Sequence, residues 1–245
     1  GPLLVGALWE DEAGQLFNRS VLIGTNGLPA RFYDKQHLVP FGEYLPLDKR
    51  FPALQALSPL GLSLTPGREA TVFRLPDGRL PFSVTICFED LFPALSRAFV
   101  RRGARLLINQ SNDAWFDGTA EQRQHLNLSR LRCIENRVPG VRVSNSGLSA
   151  CIEPNGRVYH LGLSRAPDGD GWLNADGPLP GGVPVSDASL VDCPGPEMAL
   201  TLYTRHGDWL LAIPAAAVTA AWFAAAAWKG RNVRPVSTRK EQPHA

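Results

Sequence analysis

Short uninterrupted apolar runs, bounded by turn residues, alternate along the chain with stretches of helical spacing. Leu3 to Leu8 is one such run and reads as an interior strand. Arg19 to Gly24 reads as a second strand. Asn26-Gly27 is a strong tight-turn pair, and Arg31-Phe32-Tyr33 resumes the extended pattern, so this region predicts a hairpin. A proline-punctuated stretch then runs to Pro66-Gly67 and reads as irregular. Thr71 to Leu75 and Phe82 to Cys87 read as strands around a Pro76-Asp77-Gly78 turn. Phe92 to Arg102 has helical spacing, with Leu95, Ala98 and Phe99 on one side and Arg97, Arg101 and Arg102 on the other. Arg105 to Asn109 reads as a buried strand. The segment after it, Gln110 to Phe116, is too polar and aromatic to extend a core strand. Glu121 to Asn136 predicts an amphipathic helix ended by Pro139-Gly140. Gly140 to Asn145, Leu148 to Glu153 and Arg157 to Leu161 read as strands, the last two joined by a Pro154-Asn155-Gly156 turn. Residues 163 to 197, rich in Gly, Pro and Asp, read as a long surface loop with one strand near Ala188 to Val191. This order of strands and intervening helices predicts a mixed α/β sandwich.

The last element has another character. Trp209 to Trp228 is a run of 20 residues without a charge, the length a spanning helix needs. Trp209, Trp222 and Trp228 put aromatics at both ends, and Lys229, Arg231, Arg234, Arg239 and Lys240 follow. Pro214 does not oppose this, because membrane helices tolerate proline. The alternative is an alanine-rich soluble helix. The expected organisation is a catalytic domain over 1–200, a transmembrane helix over 209–228 and a basic cytoplasmic tail over 229–245. The positive-inside rule then puts the globular body across the membrane from that tail.

A length of 245 residues suffices for one large domain with a sizeable core. The net charge of +2, with no basic face in the body of the chain, gives no reason to expect a nucleic acid partner. The four cysteines, Cys87, Cys133, Cys151 and Cys193, form no CxxC pair and lack zinc-finger spacing to histidine. The five histidines are scattered. No metal site is therefore expected, and the cysteine chemistry considered below needs no organic cofactor. Disulfides among Cys133, Cys151 and Cys193 stay open. No signal peptide opens the chain, and Met198 is its only methionine, so the sequence reads as beginning inside a longer protein.

The chemistry concentrates in two motifs. Cys87 ends an apolar run and is followed at once by Phe88, Glu89 and Asp90, an unusual place for a core cysteine. Lys35 opens Lys35-Gln36-His37-Leu38-Val39-Pro40-Phe41-Gly42-Glu43, where Pro40 and Gly42 fix a special backbone path and Glu43 is placed to pair with the lysine. A lysine beside the thiol would favour the thiolate and bind a developing oxyanion. Asn112, Asp113 and Trp115 follow a strand, where α/β folds place their sites; a plain Asx turn with a packed Trp is the competing reading. Asn145-Ser146-Gly147 is a similar turn with a weaker claim.

These motifs, with Ser111-Asn112-Asp113-Ala114-Trp115-Phe116 and Thr204-Arg205-His206-Gly207-Asp208-Trp209, closely resemble the carbon–nitrogen hydrolase (nitrilase) superfamily and, within it, the apolipoprotein N-acyltransferases. The resemblance covers residues 1 to about 230. It implies a nitrilase-like αββα sandwich followed by one C-terminal transmembrane helix, and a Glu-Lys-Cys triad. Cys87 matches the nucleophile and Lys35 the triad lysine; Glu43 and Glu89 match supporting acids. Phe88 stands where relatives often have tyrosine, its backbone N–H contributing with Lys35 to the oxyanion hole. Trp115 matches an aromatic near the lipid entry, and Asn112 is taken with it as substrate-binding. The triad glutamate belongs upstream of Gly1, and Glu10 does not match it. The implied partners are a phospholipid acyl donor, a diacylglyceryl apolipoprotein acceptor and the membrane. The implied location is the bacterial inner membrane, with the catalytic domain periplasmic. A nitrilase-type amidase, or an inactive fragment lacking the triad glutamate, are the alternatives.

Overall fold

The computed structural model describes residues 1–46, 50, 63–75, 80–116, 119–145, 147–160, 164–165, 172–173 and 200–231. The chain forms two units, Gly1–Arg205 and His206–Ala245.

In the first unit, β1 (Leu3–Glu10), β2 (Leu16–Ile23) and β3 (Pro29–Asp34) make an antiparallel sheet in sequential order. Gly27 supplies the positive φ of 77° that the β2–β3 turn requires. A second sheet runs β4 (Phe82–Ile86), β5 (Leu106–Ser111), β6 (Gly140–Ser144), β7 (Ala150–Ile152) and β8 (Val158–His160). Its first three strands are parallel, and the rest is an antiparallel meander. The parallel pairs need crossovers, supplied by α1 (Pro93–Arg101) and α2 (Glu121–Asn136). The two sheets touch through β2 and β4. Leu22 and Tyr33 from the first sheet share one core with Phe82, Val84, Ile86 and Leu107 of the second and with Leu95 and Phe99 of α1. Each such side chain contributes about 1.5–3 kcal/mol on leaving water. The sandwich expected from the sequence is present as two sheets and one helical layer among the described residues.

Several expectations need correction. β1 is not interior: it lies at an edge of its sheet, and Leu3, Leu8 and Trp9 are 59%, 56% and 41% exposed. Thr71 to Leu75 is no strand; only Phe73 bridges, to Phe82. β5 continues through Gln110 and Ser111, whose polarity had argued against it. Gln110 pairs with Val143 and Ser111 with Ser144 in the ladder, and Gln110 Oε1 accepts a 2.6 Å hydrogen bond from Ser20 across the sheets. The α2 bounds agree with the pattern, but its buried face is largely polar: His125, Ser129, Arg132 and Asn136 lie beside Leu126 and Cys133. Cys133 and Cys151 are free. The Pro76-Asp77-Gly78 turn, the strand near Ala188 to Val191 and Cys193 lie outside the described residues. Two short strands, β9 (Ser164–Arg165) and β10 (Trp172–Leu173), pair antiparallel inside the region read as loop.

α3 (Leu202–His206) is fastened to the end of α2, where Thr204 Oγ1 donates to Asn136 Oδ1 at 3.0 Å. In the second unit α4 (Trp209–Arg231) includes the uncharged run, with Trp209, Ile213, Val218, Trp222, Phe223 and Trp228 exposed. Among the described residues no helix is long and apolar enough to cross a membrane. The side chains of Leu210 and Leu211 in α4 lie outside that description.

Candidate active site

The carboxyl ends of parallel strands are where open α/β sheets present chemistry. Cys87 follows the last residue of β4, Ser111 ends β5 and Ser144 ends β6. Cys87 opens a 3₁₀ turn, Cys87–Leu91, and its φ is 54°. A non-glycine residue in that left-handed region costs about 1–2 kcal/mol and must be held there. It is held on both sides. Ahead of it, Ile86 N–H donates to Glu89 Oε2 at 2.8 Å. Behind it, the Cys87 carbonyl accepts from Asn109 Nδ2 at 2.9 Å, and His125 Nε2 lies 3.1 Å away. Cys87 and Phe88 are half-buried.

Lys35 lies just past β3, its N–H bonded to the Asn18 carbonyl at 2.8 Å. It is 1% exposed, and its Nζ donates to both oxygens of Glu43 at 2.8 Å. Glu43 also accepts from Asn18 Nδ2 and from Val39 N–H, each at 2.8 Å. The loop between them closes on the Val39 carbonyl, which accepts from the N–H groups of Gly42, Glu43 and Tyr44. The left-handed residue there is Phe41, at φ 62°, and not Gly42.

Glu89 welds the two motifs together. It is fully buried and accepts from Tyr33 Oη at 2.9 Å and from the backbone N–H groups of Gln36 at 2.7 Å and His37 at 3.1 Å, besides Ile86. The residues after Lys35 and the residue before Cys87 thus share one carboxylate. Burial, reinforced by Glu89, drives the Tyr33 phenol far above its usual pKa, so it stays a donor. The Lys35 ammonium lies 4.9 Å from the centre of the Phe88 ring.

Behind Cys87 lies a buried polar network of which the sequence singled out Asp90 and Asp113 but not Asn109, His125 or Arg142. Arg142 is fully buried and donates to Asn109 Oδ1 at 2.5 Å and Asp113 Oδ2 at 2.6 Å. Asp113 also accepts from Ser111 Oγ, and Asp90 from Ser129 Oγ. His125 Nε2 is 3.0 Å from Asp90 Oδ1; its Nδ1 is 3.2 Å from Glu121 and 3.6 Å from Asp113. Burial lowers the His125 pKa, but Asp113 and Asp90 outweigh it and push the value up to about 10. Burial opposes ionisation of Asp113, yet His125, Ser111 and Arg142 hold it well below the usual range.

Asp113, Glu121 and His125 bring donor atoms within 4.8 Å of one another, as a metal site would. Arg142 Nη2 already pairs with Asp113 Oδ2 at 2.6 Å, so that carboxylate is engaged by a cation within the cluster.

The structure does not bring Trp115 and Asn112 into this cluster by side-chain contact among the described residues. Trp115 is 72% exposed. Asn112 Oδ1 accepts from Ala114 N–H at 3.2 Å and Asn145 Nδ2 at 2.7 Å, the Asx-turn geometry weighed from the sequence. Gly147 passes so close to Asp113 that a Cβ would collide with its carboxylate. Glu10 ends β1 and is exposed.

The profile of the carbon-nitrogen hydrolase family matches residues 1–168. A protein of Geobacter metallireducens named apolipoprotein N-acyltransferase is 36% identical over 168 residues, which cover 64% of this chain and 32% of that one. One of the same name from Chlorobaculum tepidum is 36% identical over 203 residues, covering 78% and 33%. The chain therefore spans about a third of the length of these relatives. Among solved structures, a variant of the amidase from Nesterenkonia sp. AN1 carrying covalent acetamide at its active-site cysteine superposes with a TM-score of 0.50, at 21% identity, over 66% of this chain and 58% of that one. Glutamine-dependent NAD+ synthetase from Acinetobacter baumannii superposes at 0.51, with 14% identity, over 65% and 28%. These two likenesses concern the fold alone.

Proposed function

Because the chain belongs to the carbon–nitrogen hydrolase family, and resembles relatives named apolipoprotein N-acyltransferase, we propose that it is the nucleophile-bearing part of such an acyltransferase. The observation that carries this reading is the shared Glu89 carboxylate, which ties the Lys35 loop to the Cys87 elbow. Cys87 Sγ attacks the ester carbonyl of a membrane phospholipid. Lys35 Nζ and the Phe88 N–H stabilise the oxyanion. Collapse expels the lyso-phospholipid alkoxide, which takes a proton, and leaves a thioester on Cys87. The α-amine of a diacylglyceryl-cysteine at a lipoprotein N-terminus then attacks the thioester carbonyl, loses a proton and becomes the amide, returning the thiol. Glu43 positions Lys35 by accepting two of its hydrogen bonds. In this reading the exposed Trp115 and Asn112 lie on the substrate side of the site. The proton relay falls to the upstream glutamate that the family resemblance implies.

The domain division expected from the sequence, a catalytic domain over 1–200, a spanning helix over 209–228 and a basic tail, is part of the same proposal. α4 has 23 residues, about 34 Å at 1.5 Å each, against a hydrocarbon core of about 30 Å. Its uncharged run ends at Trp228, ahead of Lys229 and Arg231. This supports a bacterial inner-membrane location with the catalytic side periplasmic and the C-terminus cytoplasmic. Both substrates are then held at the same bilayer.

The test is transfer of a labelled acyl chain. Purified wild-type protein is expected to become labelled by phospholipid and to pass the label to a diacylglyceryl-cysteine peptide, whereas Cys87→Ala does neither. Label retained by Cys87→Ala would refute the assignment, and release of ammonia from simple amides without acyl transfer would favour an amidase.

A further inference from the structure

The two donors on the Cys87 carbonyl have no part in the chemistry just described. That carbonyl and the Phe88 N–H belong to one peptide unit. The described residues contain no cis peptide bond, so the two groups point in opposite directions. Asn109 and His125 hold the carbonyl on the buried side. The Phe88 N–H is therefore turned away from the buried network. Phe88 is the second residue of its 3₁₀ turn, so its N–H has no intrahelical acceptor.

We infer that His125 is a positioning residue of the proposed acyl-transfer site: as an imidazolium, it fixes and polarises the Cys87–Phe88 peptide so that the Phe88 N–H serves as an oxyanion donor. The inference rests on the acyl-transfer reading of Cys87. The groups facing His125 explain why it keeps both protons. Asp90 meets Nε2 at 3.0 Å from the 3₁₀ turn; Glu121, one turn back on α2, and Asp113, from the end of β5, meet Nδ1. Arg142 of β6, which pairs with Asp113 and lies 3.7 Å from Asp90, repels the proton, but Asp113 and Asp90 outweigh it. A charged donor on a carbonyl is stronger than a neutral one, and a hydrogen bond at one end of a peptide strengthens the donor at the other. Asn109 is locked as the second donor because Arg142 occupies its oxygen.

The test compares two reactions of Cys87 in the polypeptide as its gene encodes it. Acylation by p-nitrophenyl butyrate passes through a tetrahedral oxyanion, whereas alkylation by iodoacetamide needs the same thiol and no oxyanion donor. His125→Gln retains a neutral amide donor and removes the charge. It is expected to slow acylation about tenfold or more while alkylation stays within about twofold, a part of the 10²–10³ that a whole oxyanion donor contributes. An acylation-to-alkylation ratio equal to wild type, whether both rates persist or both fall, would overturn the inference. A measurement on the wild type covers a variant that does not fold: the His125 ring ¹⁵N resonances are expected in the imidazolium range at pH 8, and a neutral tautomer there would overturn it equally. If wild type reacts with the nitrophenyl ester but not with phospholipid, the N-acyltransferase reading fails and this comparison still decides. If it reacts with neither ester, both fail.

Discussion

At the scale of single residues, Glu89 shows how a carboxylate can serve structure inside a motif that also carries a candidate nucleophile. Apart from the His37 ring, whose Nδ1 lies 3.9 Å away, its partners are the Ile86, Gln36 and His37 N–H groups and the Tyr33 hydroxyl. Replacing it by alanine leaves those donors buried and unpaired. Glu89→Ala is therefore expected to cost about 4 kcal/mol or more in urea denaturation, since each orphaned group costs about 1–3 kcal/mol. A loss under about 1 kcal/mol would mean that the two motifs are held together by something else. His125 makes a second prediction, with a definite sign. Its folded pKa, about 10, lies above the ordinary 6.5. The stabilisation it gives is thus complete below pH 6.5 and is lost as pH rises through about 10. The melting temperature should fall across that window in wild type and fall less steeply in His125→Gln; identical slopes would contradict the charge assignment. Cys87, Lys35 and Glu43 were legible in the sequence because residue type, strand-end position and a proline- and glycine-marked loop all pointed the same way. Asn18, Asn109 and His125 were not. Their partners are a carboxylate 25 positions away or a backbone carbonyl 22 and 38 positions away, and no local pattern encodes such a pair.

At the scale of elements, the packing of strand ends decides the site. The segment around Gly67 was legible only as irregular, yet its N–H donates to the Lys35 carbonyl at 2.8 Å, and a Cβ at this position would collide with the Asp34 carbonyl. The obstacle is backbone and has nowhere to go. Gly67→Ala is expected to destabilise the protein by about 2 kcal/mol or more and to slow Cys87 acylation by displacing Lys35. Wild-type stability and rate together would show that the Lys35 loop is not fixed from this side. The apolar pattern found α1 and the strands of the second sheet, because their spacing is set by apolar burial, whereas α4 was legible from its uncharged run. It failed where burial is polar. β5 runs on through Gln110 and Ser111 because cross-sheet and ladder partners satisfy them, and α2 buries a histidine that faces Asp90 and an arginine that pairs with Glu135. β1 looked interior because its residues are apolar, a pattern that does not say whether another element covers them.

At the scale of the whole molecule, family membership and the superposed structures agree with the α/β reading, and the membrane reading rests on α4. A green fluorescent protein joined after Arg231 should fluoresce in the cytoplasm, and alkaline phosphatase joined at the same point should stay inactive. The reverse pair of results would contradict the orientation proposed for the last helix. The account turns on a single site in which the thiol of Cys87 becomes acylated with the help of Lys35. The most direct measurement is peptide mapping by mass spectrometry after incubation with phospholipid, for wild type and Lys35→Met. The account predicts a hydroxylamine-labile acyl mass on the Cys87 peptide of wild type alone, with both proteins still alkylated there by iodoacetamide. Acyl mass on a different residue, or equal acylation of Lys35→Met, would contradict it.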